Sequence, residues 1–117
     1  MKVEKISAVT LRVANMRSSV RFYGDLLGME IVYGGEDAYF SSLRAKNAQY
    51  PILNLEQGNP VTRWGRLIFY IPDVDAFWKY LKGKGLDPER PQNASWGERY
   101  FHMPDPDGHE LSFARPI

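Results

Sequence analysis

The chain states one structural pattern twice, and that repetition limits its fold more than any other feature. Residues Val9 to Gly28 read as a strand, a turn, an amphipathic helix and a glycine stop; Leu67 to Gly85 repeat the order. Val13 and Ile71 end the two strands, Asn15 and Asp73 open the helices, and Gly28 and Gly85 follow them. Short strand-like runs come after each helix. Two copies of a strand–helix–strands unit in one small chain predict a pseudo-symmetric α+β structure.

The alternation within the strands says what each face meets. Val9, Leu11 and Val13 point one way and Ala8, Thr10 and Arg12 the other, which places one face on an apolar core and leaves the other polar. Arg66, Ile68 and Tyr70 alternate in the same manner with Leu67, Phe69 and Ile71. Asn15 and Asp73 are N-cap residue types. The apolar stripes that follow are Val20, Phe22, Tyr23, Leu26 and Leu27 in the first helix, and Val74, Phe77, Trp78 and Leu81 in the second. Further strands are expected at Met29–Tyr33, Ala38–Leu43, Pro51–Glu56, Glu98–Met103 and Glu110–Ala114. Pro88 and Pro91 restrict any strand between Leu86 and Asn93 to a short or edge position. Asp105-Pro106-Asp107-Gly108 is a strong turn signal. Gln57-Gly58-Asn59-Pro60 is the best linker. The expected organisation is a single domain over 1–117, with module one at 5–57, a linker at 58–63 and module two at 64–117.

Composition removes several classes of function. A formal net charge of +1 supplies no field for a phosphate backbone, so nucleic acid is not an expected partner. The absence of cysteine excludes disulfides, thiolate metal sites and thiol chemistry. No apolar run approaches the roughly 20 residues that span a bilayer, and no apolar signal region follows Met1-Lys2-Val3-Glu4-Lys5. A cytoplasmic location and no membrane partner are expected. Aromatic residues reach 14%, more than a core of this size needs, which points to rings lining a surface. There is no phosphate-binding glycine loop, no helical His-Glu-x-x-His and no nucleophile elbow. His102 and His109 are the only imidazoles.

Val9-Thr10-Leu11-Arg12-Val13-Ala14-Asn15, then Arg21-Phe22-Tyr23 and Leu26-Leu27-Gly28-Met29, and later Trp96-Gly97-Glu98-Arg99 leading into Asp105-Pro106-Asp107-Gly108, together resemble the vicinal oxygen chelate superfamily. That superfamily contains glyoxalases, extradiol dioxygenases, fosfomycin-resistance enzymes and bleomycin-resistance proteins. The resemblance covers nearly the whole chain and is nearest the bleomycin-resistance-like branch. It implies two tandem βαβββ modules forming an incomplete barrel around a cleft, the glyoxalase/bleomycin resistance fold, commonly as a homodimer. Metal-dependent members hold a divalent ion with His, Glu or Gln on particular strands. The matching positions here are Ala8, Asn54 (with Glu56 two residues on), Arg66 and Ser112. Ala8 has no donor atom, and Arg66 carries a permanent positive charge. No metal at the family position and no cofactor are therefore expected, which removes the Lewis acid of the glyoxalase and dioxygenase mechanisms.

A lining of Arg12, Asn54, Glu56, Arg66, Tyr70, Tyr100, His102 and Ser112 remains. Rings with a few placed charges suit a small, planar, amphipathic molecule, and metal-independent binding of such a molecule is the leading expectation. A lyase, isomerase or dioxygenase-type enzyme is the alternative. One form is metal-free, with His102 or Glu56 as general base and Arg66 as oxyanion partner; the other has a displaced metal on Glu56, His102 and Glu110. A third reading is a partner-binding module whose interior is closed by ion pairs of Arg12 and Arg66 with Glu56 and Glu110. His109 is expected to be solvent-exposed or to cap backbone. Trp64 and Trp96 are expected to cover the mouth of the cleft or to anchor a dimer interface.

Overall fold

The computed structural model describes residues Met1–Ile117. The chain divides into two compact units, Met1–Val61 and Thr62–Ile117, and each is a βαβββ module.

The first unit runs β1 (Ala8–Val13), α1 (Met16–Val20) continuing into a π-helical turn (Arg21–Leu26), β2 (Glu30–Tyr33), β3 (Phe40–Arg44) and β4 (Ile52–Gln57). Its open sheet has the order β1-β4-β3-β2, with β1 parallel to β4 and the other pairs antiparallel. The second unit repeats this with β5 (Arg66–Tyr70), α2 (Val74–Gly83), β6 (Gln92–Asn93), β7 (Glu98–Pro104) and β8 (Glu110–Pro116). Its order is β5-β8-β7-β6, again with the first strand parallel to the last. The repeat in the sequence is thus a repeat of topology, and the α+β class follows from it.

One face of each sheet builds a core. In the first unit Leu11, Val13, Leu43, Leu53 and Leu55 are buried, as are Met16, Val20, Phe22 and Tyr23 of the helix. In the second unit Val74, Leu81, Met103 and Leu111 are buried beside Phe101 and Phe113. The Phe113 ring lies 5.2 Å from Phe77 and from Phe101, and 5.7 Å from Phe69, so α2 sits on β5, β7 and β8 through one phenylalanine cluster. Such ring pairs add to area burial. Both helices begin as expected: Asn15 accepts from the Ser18 N–H, and Asp73 from the Ala76 N–H.

The first helix departs from expectation. Its sequence reads as one amphipathic α-helix, yet after Val20 it widens, and the Leu27 N–H donates to the Phe22 carbonyl five residues back at 3.0 Å. A wider turn reduces the angle between successive side chains. It lets the neighbours Phe22 and Tyr23 both reach the core, where their rings meet edge to face at 5.0 Å. Gly28 then ends the segment with φ +76°. The expected edge strand is β6, only two residues long beyond Pro88 and Pro91.

The turn from β2 to β3 is tight. Gly34 has φ +75°, and a Cβ there would lie 2.3 Å from the Phe40 carbonyl oxygen. Beside it the Gly35 N–H donates to Ser41 Oγ at 2.9 Å, and Ser41 Oγ donates to the Gly35 carbonyl at 3.1 Å.

Candidate functional site

The sheet face away from the helix carries the candidate residues in each unit, because side chains alternate along every strand. In the first unit, register brings Thr10, Asn54 and Ser42 into one row and Arg12, Glu56 and Phe40 into the next. Asn54 is held from both sides: Ser42 Oγ donates to its Oδ1 at 2.6 Å, and its Nδ2 donates to Thr10 Oγ1 at 3.3 Å. Arg12 Nε lies 3.8 Å from Glu56 Oε2, with both side chains about half exposed. Such a pair contributes about 0–1 kcal/mol. This face is polar and largely self-paired.

The second unit differs. Its rows are Arg66–Glu110–Pro104, Ile68–Ser112–His102 and Tyr70–Ala114–Tyr100. The middle strand β8 carries small side chains between large ones. Ser112 and Ala114 are consequently buried although they point to the open face, while Ile68 and Tyr70 stay about 60% exposed. Five expected residues, Arg66, Tyr70, Tyr100, His102 and Ser112, therefore share one surface with a low floor. Arg66 makes no ion pair with Glu110 despite standing opposite it. Only the Arg12–Glu56 half of the expected internal pairing forms.

Two further residues complete this face. Glu98 lies two positions before Tyr100 and so points the same way; Tyr70 OH and Trp96 Nε1 both donate to its carboxylate, Trp96 at 2.9 Å. The small Ala114 lets Tyr70 lean across β8 to reach it. The hydrogen bond from Tyr70, followed by that from Trp96, lowers the Glu98 pKa, and the Tyr70 hydroxyl is raised in return. The Trp96, Tyr100 and His102 rings run in sequence, with centroid separations of 5.8 and 5.0 Å. Period-two reading from Tyr100 was the available signal for Glu98; its bond to Tyr70 had none.

At the other end of the face a cavity of about 290 Å³ is lined by Arg66, Asp87, Glu89, His102 and Glu110, among others. His102 Nδ1 is 3.4 Å from Glu89 Oε2. Burial and then the Arg66 charge lower the His102 pKa, against the opposing pull of Glu89 and Glu110. The imidazole is therefore neutral at neutral pH.

The superfamily's metal positions do not fit an ion. Ala8 offers no donor, Arg66 brings a positive charge, Ser112 is buried beneath its row neighbours, and the Asn54 carbonyl oxygen is taken by Ser42. A different group, Asp105, Asp107 and His109, brings its donor atoms within 4.8 Å of one another. Its bonding is that of a turn. Asp105 Oδ1 accepts from the backbone N–H of Asp107 and of His109, both at 2.9 Å. Trp64 Nε1 donates to His109 Nδ1 at 2.9 Å, which places the ring proton on Nε2 and turns that nitrogen into a donor.

This corrects the expectation for His109, which is 1% exposed and bound by an indole. It also gives Trp64 a partner within its own unit. Arg99 makes two hydrogen bonds to the Asp75 carboxylate, at 2.8 and 2.9 Å, and one to Asn93, fastening β7 to the start of α2.

Two βαβββ modules with parallel first and last strands define a paired-module α+β protein. The family model for the glyoxalase/bleomycin resistance protein/dioxygenase superfamily matches residues 5–113, and the chain belongs to that superfamily. Among solved structures, an integron cassette protein from the mobile metagenome of a Halifax Harbour sewage outfall is similar at 22% identity and a TM-score of 0.81, with 96% of this chain and 98% of that one covered. A superfamily member from Sphaerobacter thermophilus is 22% identical, with a TM-score of 0.79 and coverages of 96% and 97%. Lactoylglutathione lyase from Agrobacterium tumefaciens is 18% identical, with a TM-score of 0.78 and coverages of 97% and 94%. Likeness at these identities establishes the fold. Comparison with curated proteins gives no significant match. No helix is long and apolar enough to cross a membrane.

Proposed function

We propose that this chain binds a small, planar, amphipathic molecule without a metal ion, on the open face of its second sheet. One observation carries the reading. Where metal-dependent relatives need ligands, this face offers the Arg66 guanidinium and the buried Ser112, and around them stand Tyr70, Tyr100 and His102. Rings supply contact area, and Arg66, engaged in no ion pair, supplies a donor fork for an oxygen of the ligand. On the first sheet Arg12, Asn54 and Glu56 are the polar residues available to the same role. The exposed apolar run Ile31, Val32 and Tyr33 on edge strand β2 supports a homodimer, because an uncovered strand of this kind invites pairing.

Titration of tryptophan fluorescence with flat aromatic antibiotics and metabolites tests the proposal, with Trp96 as the reporter on the face. Saturable quenching that Tyr100→Ala weakens is expected; no saturable change with any compound, in folded protein, overturns it. Metal analysis after incubation with zinc, nickel, manganese or iron is expected to find none bound stoichiometrically.

A second reading rests on His102. A neutral imidazole beside Arg66 in a cavity is a general base next to a cation, the pairing that moves a proton adjacent to a carbonyl. Turnover of a carbonyl substrate abolished by His102→Gln would favour it.

A further inference from the structure

We propose that the molecule bound on the second sheet is a planar organic cation, with its positive charge against Glu98 and the Trp96, Tyr100 and Tyr70 rings. The inference rests on the small-molecule reading above and names the chemical class of the ligand.

Glu98 takes part in no ion pair; its partners are the two neutral donors Tyr70 OH and Trp96 Nε1. Neutral donors leave a carboxylate its full charge, and two hydrogen bonds leave part of its acceptor capacity unused. The same bonds hold Glu98 below the usual carboxylate range, so it stays ionised. They also fix the carboxylate against the edge of the indole.

Trp96 is 69% exposed, and its ring continues the run through Tyr100 to His102. An aromatic face beside a fixed anion attracts cations through ring quadrupole and charge together. The chain uses its own lysines in this way elsewhere: Lys5 over Tyr50, Lys82 over Trp78 and Lys84 over Tyr80. No lysine or arginine covers Trp96, Tyr70 or Tyr100. The cluster thus holds the anionic and aromatic parts of a cation site and none of the chain's own cations. Arg115 acts on Tyr70 electrostatically, but it alternates with Ala114 on β8 and points to the opposite face.

The test uses three flat probes of similar size at pH 8: N-methylquinolinium, neutral quinoline and anionic naphthalene-2-carboxylate. Each is titrated into the wild-type chain with fluorescence or calorimetric readout. The cation is expected to bind about tenfold tighter than quinoline, and the anion weakest. In Glu98→Gln the cation's advantage should shrink to within about twofold while quinoline binding holds; in Glu110→Gln the advantage should remain. Equal binding of cation and quinoline by the wild type, or a preference that survives Glu98→Gln, overturns the inference and leaves the small-molecule reading standing. Failure of all three probes to bind overturns both.

Discussion

Replacing Gly34 by alanine separates two costs that are usually mixed, because Gly28 provides a control with nearly the same φ. The two glycines have φ of +75° and +76°, but a Cβ on Gly28 meets nothing within 4 Å, whereas one on Gly34 falls 2.3 Å from the Phe40 carbonyl oxygen and 2.7 Å from Ser41 Oγ. Placing an L-residue in the left-handed region costs roughly 1–2 kcal/mol. Alanine returns about 0.4–1 kcal/mol by restricting the unfolded chain. Gly28→Ala should therefore lose roughly 1 kcal/mol. Gly34→Ala carries the same term plus the overlap. The atom in the way is backbone, so relief requires the β2–β3 turn to open. That strains the two Gly35–Ser41 hydrogen bonds, at about 0.5–1.5 kcal/mol each, on top of an overpacking cost of about 1–3 kcal/mol. The expected loss is about 3–7 kcal/mol, a large share of a domain's stability. Urea denaturation followed by circular dichroism and tryptophan fluorescence measures both variants. A loss for Gly34→Ala no greater than that for Gly28→Ala would refute the argument that the carbonyl contact, and not the dihedral, governs this turn.

Trp64→Phe keeps a ring but removes the donor to the buried His109 Nδ1, and should cost about 1–3 kcal/mol in urea denaturation; a change below about 0.5 kcal/mol would show that the bond contributes nothing net. NMR titration of His102 should give a pKa below the ordinary value near 6.5. The unfolded chain then takes up that proton first, so this group's contribution to stability is intact above pH 6.5 and is lost as pH falls through the folded pKa. Arg66→Gln removes the second cause of the shift and should move the His102 pKa upward, whereas an unchanged value would leave burial as the whole explanation. Tyr70→Phe removes the largest cause of the Glu98 shift. Carboxyl NMR should find the Glu98 pKa raised, and an unaltered value would disprove the Tyr70–Glu98 bond in solution.

Much of the fold was legible because its signals are local. The caps at Asn15 and Asp73, the glycine after the first helix, the alternation on β1 and β5 and the two prolines ahead of β6 each act within a few residues, and the structure has each where the pattern puts it. The π-helical turn was not legible, because an apolar stripe looks the same whether the backbone bonds reach four residues or five. Of the site, alternation was enough to place Tyr100 and His102 on one strand face. The resemblance to the superfamily pointed to Ala8, Arg66 and Ser112 as the altered metal positions.

Local pattern alone carried the two copies of one module and the strand face of each candidate residue. Which of those side chains are already engaged was set by the folded chain. Asn54 is held by Ser42 and Thr10, Arg12 lies against Glu56, and His109 accepts from an indole 45 residues away. Glu98 keeps its charge between two neutral donors. The physical reason is range. Propensity, capping and strand period act over one turn or one pleat, while a hydrogen bond closed across tens of residues depends on where the chain returns.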